Sequence, residues 1–233
     1  MDNIKIIWGT DHKVGTTMIA QSYTEVIAGA QENVLLLTLS TNPGDDFYDE
    51  EALSIEALKS RLSCGLITKD NIKKYALKGK DFYKLNGLSK TKNMYGFTLT
   101  MAVDLIQVSI EAFDEVVIDC GTDLDNPLAL AALSFERNNV FVFSQQESSI
   151  RSWEAISEEM SALRIVPDIA VINNYYKADN YTVGYISQRT GIPQNIFKTV
   201  KESEFGIQAE ADRKTLLFYG DKQYEKDIRN LIN

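Results

Sequence analysis

Histidine occurs once in the 233 residues, as His12, which excludes a multi-histidine metal site or a histidine-based catalytic pair. Cysteine occurs twice, as Cys64 and Cys120, too few and too scattered for a disulfide scaffold or a zinc site. Positive charge is in deficit: 24 Lys and Arg stand against 33 Asp and Glu. The resulting net charge of −9 opposes a nucleic-acid backbone or an anionic lipid surface at long range. No run reaches the roughly 18 apolar residues that a membrane span requires. Met1-Asp2-Asn3, followed by Ile4-Lys5-Ile6-Ile7-Trp8, carries neither a basic n-region nor a small-residue cleavage site, which predicts a cytoplasmic protein. Linker-like segments and internal repeats are also missing. With 44% apolar residues, the chain is expected to bury a full core as one domain over residues 1–233.

What is present alternates between two periods. Residues 4–8 read as a buried strand and 16–30 as a helix, with Ile19, Tyr23, Val26, Ile27 and Ala30 at spacings of three and four. Residues 34–39 have the continuous apolar character of a strand covered on both faces, broken by Asn42-Pro43-Gly44. Residues 54–62 read as helical with Ser54 as N-cap, 82–85 as a short strand and 98–112 as a long helix. Residues 115–119 form the clearest strand, ending on Asp119. A helix over 128–135, a strand over 140–143, a helix over 149–163 and a strand over 169–172 closed by Asn173-Asn174 follow. A short helix over 183–190, the turn Gly191-Ile192-Pro193 and a last helix from about Asp221 complete the chain. The alternation predicts an α/β fold with a doubly wound, mainly parallel sheet and helices on both faces.

In such a sheet, ligands sit beyond the carboxyl ends of the strands. There lies Gly9-Thr10-Asp11-His12-Lys13-Val14-Gly15-Thr16-Thr17, between the first strand and the first helix. A phosphate loop needs glycine so that backbone N–H groups can converge on phosphate, a lysine for the β/γ charge and a hydroxyl for Mg²⁺. Gly15 and Thr17 fit the glycine and hydroxyl roles, and the helix N-terminus adds its partial positive charge. Thr16 stands where the lysine belongs. The two readings are a nucleotide site and a turn that merely joins strand to helix.

Val14-Gly15-Thr16-Thr17-Met18-Ile19-Ala20 resembles the Val-Gly-Ala-Ser-Thr-Ile-Ala stretch of the CpaE/TadZ-type pilus-assembly proteins. These are members of the MinD/ParA superfamily of P-loop ATPases that also lack the ordinary lysine. Phe113-Asp114-Glu115-Val116-Val117-Ile118-Asp119 is similar to the family strand whose final Asp assists Mg²⁺. Val171-Ile172-Asn173-Asn174 is similar to the segment whose Asn reads adenine, and Gly191-Ile192-Pro193 to its late turn. The resemblance spans nearly the whole chain. It implies ATP or ADP with Mg²⁺ as ligand, bound by Asp11, His12, Lys13, Val14, Gly15, Thr16, Thr17 and Asn173, with Thr17 and Asp119 at the metal. It further implies a homodimer with nucleotide sandwiched between subunits. Such a dimer would be a switch or scaffold for pilus or secretion-machine assembly, touching the membrane peripherally through partners.

Departures from the pattern limit the chemistry. The family's special lysine maps to Asp11, whose carboxylate beside a triphosphate costs about 1 kcal/mol or more. Its glycine pair maps to His12 and Lys13. The carboxylates of an Asp-x-Asp-Pro-Gln-like segment are replaced in Ser40-Thr41-Asn42-Pro43-Gly44, with Asp45 and Asp46 following. Weak or no ATP hydrolysis is therefore expected. Two alternatives stand beside the scaffold: a ParA-like partition ATPase that binds DNA when ATP-bound, and a pseudo-ATPase interaction module without nucleotide. The lysine-rich stretch 69–92, interleaved with Tyr75, Phe82, Tyr83 and Tyr95, is either a nucleic-acid surface or a solvated helix and edge strand. Acidic balance favours the latter. Tyr224, Ile228, Leu231 and Ile232 at helical spacing read as a helix docked on the domain rather than on a membrane. Cys120 reads as a small buried residue at a strand end.

Overall fold

A computed structural model describes residues 3–44, 47, 52–135 and 138–232. The strands in chain order are β1 (Ile4–Gly9), β2 (Val34–Thr38), β3 (Leu77–Lys78), β4 (Tyr83–Leu85), β5 (Glu115–Asp119), β6 (Asn139–Ser144), β7 (Ile169–Tyr175) and β8 (Phe197–Lys201). The helices are α1 (Thr16–Ala28), α2 (Lys59–Ser63), α3 (Leu99–Ala112), α4 (Pro127–Leu133), α5 (Glu147–Ala162), α6 (Val183–Thr190), α7 (Gly206–Asp212) and α8 (Lys222–Arg229). One eight-stranded sheet runs in the order β3-β4-β2-β5-β1-β6-β7-β8. Every neighbouring pair is parallel except β3 and β4 at one edge. This is the expected α/β architecture.

Side-chain alternation along each strand divides the core in two. Ile4, Ile6 and Trp8 of β1 face one side with Leu35, Leu37, Ile118, Phe141 and Phe143, under α3, α4, α5 and α6. Ile7 faces the other side with Leu36, Val117 and Val142, under α1, α7 and α8. Ile6, Leu37 and Phe143 are completely buried, and burying a side chain of this size contributes about 1.5–3 kcal/mol. An aromatic chain ties α5 to the centre of the sheet. Trp8 meets Phe141 edge-on at 5.1 Å, and Trp153 meets Phe141 at 5.5 Å. The Trp153 indole N–H donates to the Thr190 carbonyl at 2.9 Å, which joins α5 to α6.

Element ends follow local chemistry. Helix α1 stops two residues short of the expected 30, because Gly29 caps it. Ser54 does cap its helical segment by accepting from Glu56 N at 3.2 Å. That segment is a 3₁₀ turn over Ile55–Leu58 leading into α2. Strand β7 does not close at Asn173-Asn174. Asn174 takes a left-handed φ of 51°, and Tyr175 resumes pairing with Lys201 after the irregularity. Strands β3 and β8 and helix α7 are additions to the expected order.

The lysine-rich stretch builds the sheet edge at β3. Lys73 lies 5.2 Å from the Phe113 ring centre and Lys78 5.5 Å from that of Tyr83, while Lys84 is buried. Helix α8 docks on α1, with Tyr224 and Ile228 buried, Leu231 buried just beyond its end, and the Tyr224 hydroxyl 3.0 Å from the Ser22 hydroxyl. No helix among the described residues is long and apolar enough to cross a membrane.

Candidate functional site

Strand β1 connects toward β2 on one side, whereas its neighbour β6 connects toward β7 on the other. The carboxyl end of β1 is therefore a topological switch point, where open α/β sheets form crevices. The loop that follows β1 is held from three sides. Gly9 N donates to the Gly121 carbonyl at 2.8 Å, and Thr10 N donates to the Val142 carbonyl at 3.0 Å. The Thr10 hydroxyl also reaches the Ser149 hydroxyl at 2.7 Å. Asn173 at the end of β7 donates its amide to the Val14 carbonyl at 2.9 Å.

Two residues of the loop have left-handed backbone, Lys13 with φ 62° and Gly15 with φ 89°. Glycine is required at 15 for a second reason: a Cβ there would overlap the Asn173 amide nitrogen. Helix α1 starts directly after Gly15 and, like α2, α5 and α7, has no side-chain cap, whereas Thr98, Asn126, Thr182 and Asp221 cap α3, α4, α6 and α8. Its first-turn N–H groups thus face the crevice without a capping oxygen.

The facing wall comes from the ends of β2 and β5. Gly121 has φ 63°, and a Cβ on it would come within 2.7 Å of Ser40 Cβ, so the two loops touch through a glycine. Asp119, 1% exposed, accepts from Gly121 N through Oδ1 at 3.0 Å and braces this turn. Cys120 beside it is fully buried. Burial, reinforced by the Asp119 charge, pushes its thiol well above the ordinary range. The His12 imidazole lies 3.3 Å from the Thr122 hydroxyl.

Between these walls opens a cavity of about 730 Å³, lined by Lys13, Gly15, Thr16 and Thr17 on one side and by Ser40, Thr41 and Asn42 on another. Glu210 and Arg213, at the end of α7, supply a further wall. A second cavity of about 970 Å³ adjoins it across His12, Thr41 and Thr122. It has an apolar floor on Trp8 and a rim of Asp11, Asp123, Asp125 and Glu159.

Of the residues singled out in the sequence, the fold brings Lys13, Gly15, Thr16 and Thr17 to one cavity, with His12 on the border. Asp11 belongs to the neighbouring cavity and accepts from His12 N at 2.8 Å. Val14, Asp119 and Asn173 are buried supports behind the wall. Asp45 and Asp46 lie outside the described residues. Arg213 and Glu210 carry no motif in the sequence. They arrive from almost 200 residues away, and only the packing of α7 reveals them.

No protein-family model and no curated protein sequence matches the chain. Solved structures do. A ParA family ATPase from Chlorobium tepidum TLS superposes with a TM-score of 0.85 at 13% identity, over 99% of this chain and 98% of that one. The septum site-determining protein MinD from Pyrococcus horikoshii OT3, complexed with Mg-ADP, gives 0.71 at 13% identity, over 98% and 94%. A MinC:MinD cell division protein complex from Aquifex aeolicus gives 0.72 at 14% identity, over 99% and 96%. The chain has the fold of the MinD/ParA ATPases.

Proposed function

We propose that this chain is a nucleotide-binding switch or scaffold of the CpaE/TadZ kind, one domain over 1–233 that dimerises to help assemble or place a pilus or secretion machine. The observation that carries the reading is the cavity at the carboxyl end of β1. Its volume, about 730 Å³, is in the range of small-molecule sites. Its floor is the uncapped first turn of α1 behind a left-handed Gly15, an arrangement suited to anions. ATP or ADP with Mg²⁺ fits this chemistry. The N–H groups at 15–17 would take phosphate oxygens. The Thr17 hydroxyl would sit at the metal, with Asp119 bracing the Gly121 turn opposite. Mg²⁺ bound in this way takes most of its ligands from phosphate and water, and when bound it neutralises phosphate charge. The MinD structure complexed with Mg-ADP supports the ligand class through its shared fold.

Dimerisation follows from linkage: a ligand contacted by both chains favours the state in which both are present. The MinC:MinD complex supports a protein partner as the reader of that state. Weak or absent hydrolysis goes with Thr16 in place of a lysine and with Asp11 on the loop.

The test is thermal unfolding with and without Mg²⁺ and ATP or ADP. Saturation at 100 times the dissociation constant stabilises by about 2.7 kcal/mol, a midpoint rise of roughly 5–10 °C for a domain of this size. The rise should vanish in Thr17→Ala. No rise at millimolar nucleotide would leave the pseudo-ATPase module in its place. The likeness to a ParA family ATPase favours one second reading, a partition ATPase. DNA binding that appears only with ATP and weakens with salt would establish it.

A further inference from the structure

Thr16 cannot do the work of a lysine: it is 6% exposed, and its hydroxyl rests against the Cα of Gly9, where a Cβ would overlap it. We propose that the missing charge comes from two residues on different walls of the same cavity. Lys13 of the β1–α1 loop and Arg213 at the end of α7 together grip the phosphate chain of the ligand. This assignment rests on the nucleotide reading of that cavity and adds to it a second anion-binding segment from the carboxyl-terminal part of the chain.

Charge distribution is the first support. The chain carries −9, yet among the described residues the ionisable groups lining this cavity are Lys13, Arg213, His12 and Glu210. The adjoining cavity has the opposite character, with four carboxylates, Asp11, Asp123, Asp125 and Glu159, against the shared His12. Among the described residues, an anionic ligand thus meets cations on one side of the His12–Thr122 wall and mainly carboxylates on the other.

Anchoring is the second support. Arg213 closes α7 in a left-handed conformation, φ 53°, with its N–H on the Glu210 carbonyl at 3.3 Å. Two residues on, Thr215 is buried and donates its hydroxyl to Glu25 of α1 at 2.7 Å, and Leu216 packs into the core beside that helix. The segment bearing Arg213 is therefore fastened to the same helix whose first turn faces the ligand. Both side chains are exposed at the cavity wall. A guanidinium engages phosphate oxygens in pairs, whereas the Lys13 ammonium acts as a point charge.

The experiment is titration calorimetry on the full chain, with ionic strength matched between ligands and the series repeated at low and high salt. The ligands are Mg-ATP, adenosine and inorganic tripolyphosphate; the proteins are wild type, Lys13→Gln, Arg213→Gln and the double variant. Each single change is expected to weaken ATP about tenfold and the double about a hundredfold, with adenosine unaffected. The salt dependence of ATP binding should flatten in step. Adding Thr16→Lys to Arg213→Gln should recover affinity. Equal ATP binding by wild type and the double variant would overturn the two-cation grip and leave the nucleotide reading standing. Tripolyphosphate binding that depends on Arg213, without any ATP binding, would keep the grip and remove the nucleotide. If neither ligand binds wild type, both fall.

Discussion

Replacing Gly15 by alanine perturbs two constraints at once. The backbone there has φ 89°, a left-handed conformation that costs an L-residue about 1–2 kcal/mol. The new methyl group would also occupy the place of the Asn173 amide nitrogen, which donates to the Val14 carbonyl at 2.9 Å. Displacing that hydrogen bond costs about 0.5–1.5 kcal/mol. The expected loss is about 2–3 kcal/mol, a midpoint lowered by roughly 5–10 °C. Urea denaturation followed by circular dichroism measures it. Asn173→Ala alone should cost about 1 kcal/mol through the same hydrogen bond. In the double variant the methyl group has no amide to displace, so the combined loss should fall short of the sum by about 1 kcal/mol. A Gly15→Ala protein as stable as wild type, or a strictly additive pair, would refute the packing of Asn173 on the loop.

Three further outcomes are expected. Asp221 caps α8 by accepting from Gln223 N and Tyr224 N, so Asp221→Ala should destabilise by about 1 kcal/mol in thermal unfolding. Burial raises the Asp221 carboxyl, but the Ser203 hydroxyl and the Tyr224 and Gln223 amides outweigh it and hold it below its ordinary value. A lowered carboxylate contributes stability above its unfolded-state pKa and loses it as pH falls through the folded one. The wild type's advantage over Asp221→Ala should therefore hold from neutrality to about pH 4 and disappear below it, and a gap unchanged at pH 2 would contradict the cap. With a thiol reagent, the native protein should titrate Cys64 alone, because Cys120 is buried and its thiol raised; Cys120 should react only on unfolding.

Much of the fold is legible because its strands are covered on both faces and read as unbroken apolar runs. Glu115-Val116-Val117-Ile118-Asp119 is β5 to the residue, and 183–190 is α6 to the residue. Strand β8 escapes because only Phe197 and Val200 of Phe197–Lys201 are buried, and its lysines read as solvent-exposed loop. Strand β7 runs longer than its apolar core because asparagine tolerates the left-handed turn at 174.

In the candidate site, glycine and hydroxyl spacing locates the loop, since those residue types answer to local backbone needs. Spacing does not display which side chains face inward. Asn173 stands at the strand end where the sequence puts it, yet its amide is engaged by the loop backbone. Asp11 and Lys13, two residues apart, line different, adjoining cavities. Arg213 is invisible to any local pattern, because its place depends on Thr215 and Leu216 packing against α1.

The most direct test of the central claim is a crystal structure of the protein grown with millimolar Mg-ATP. Nucleotide is expected in the cavity of about 730 Å³, its phosphates against the backbone at Gly15, Thr16 and Thr17. A cavity holding only water under those conditions, or nucleotide bound elsewhere on the chain, would contradict it.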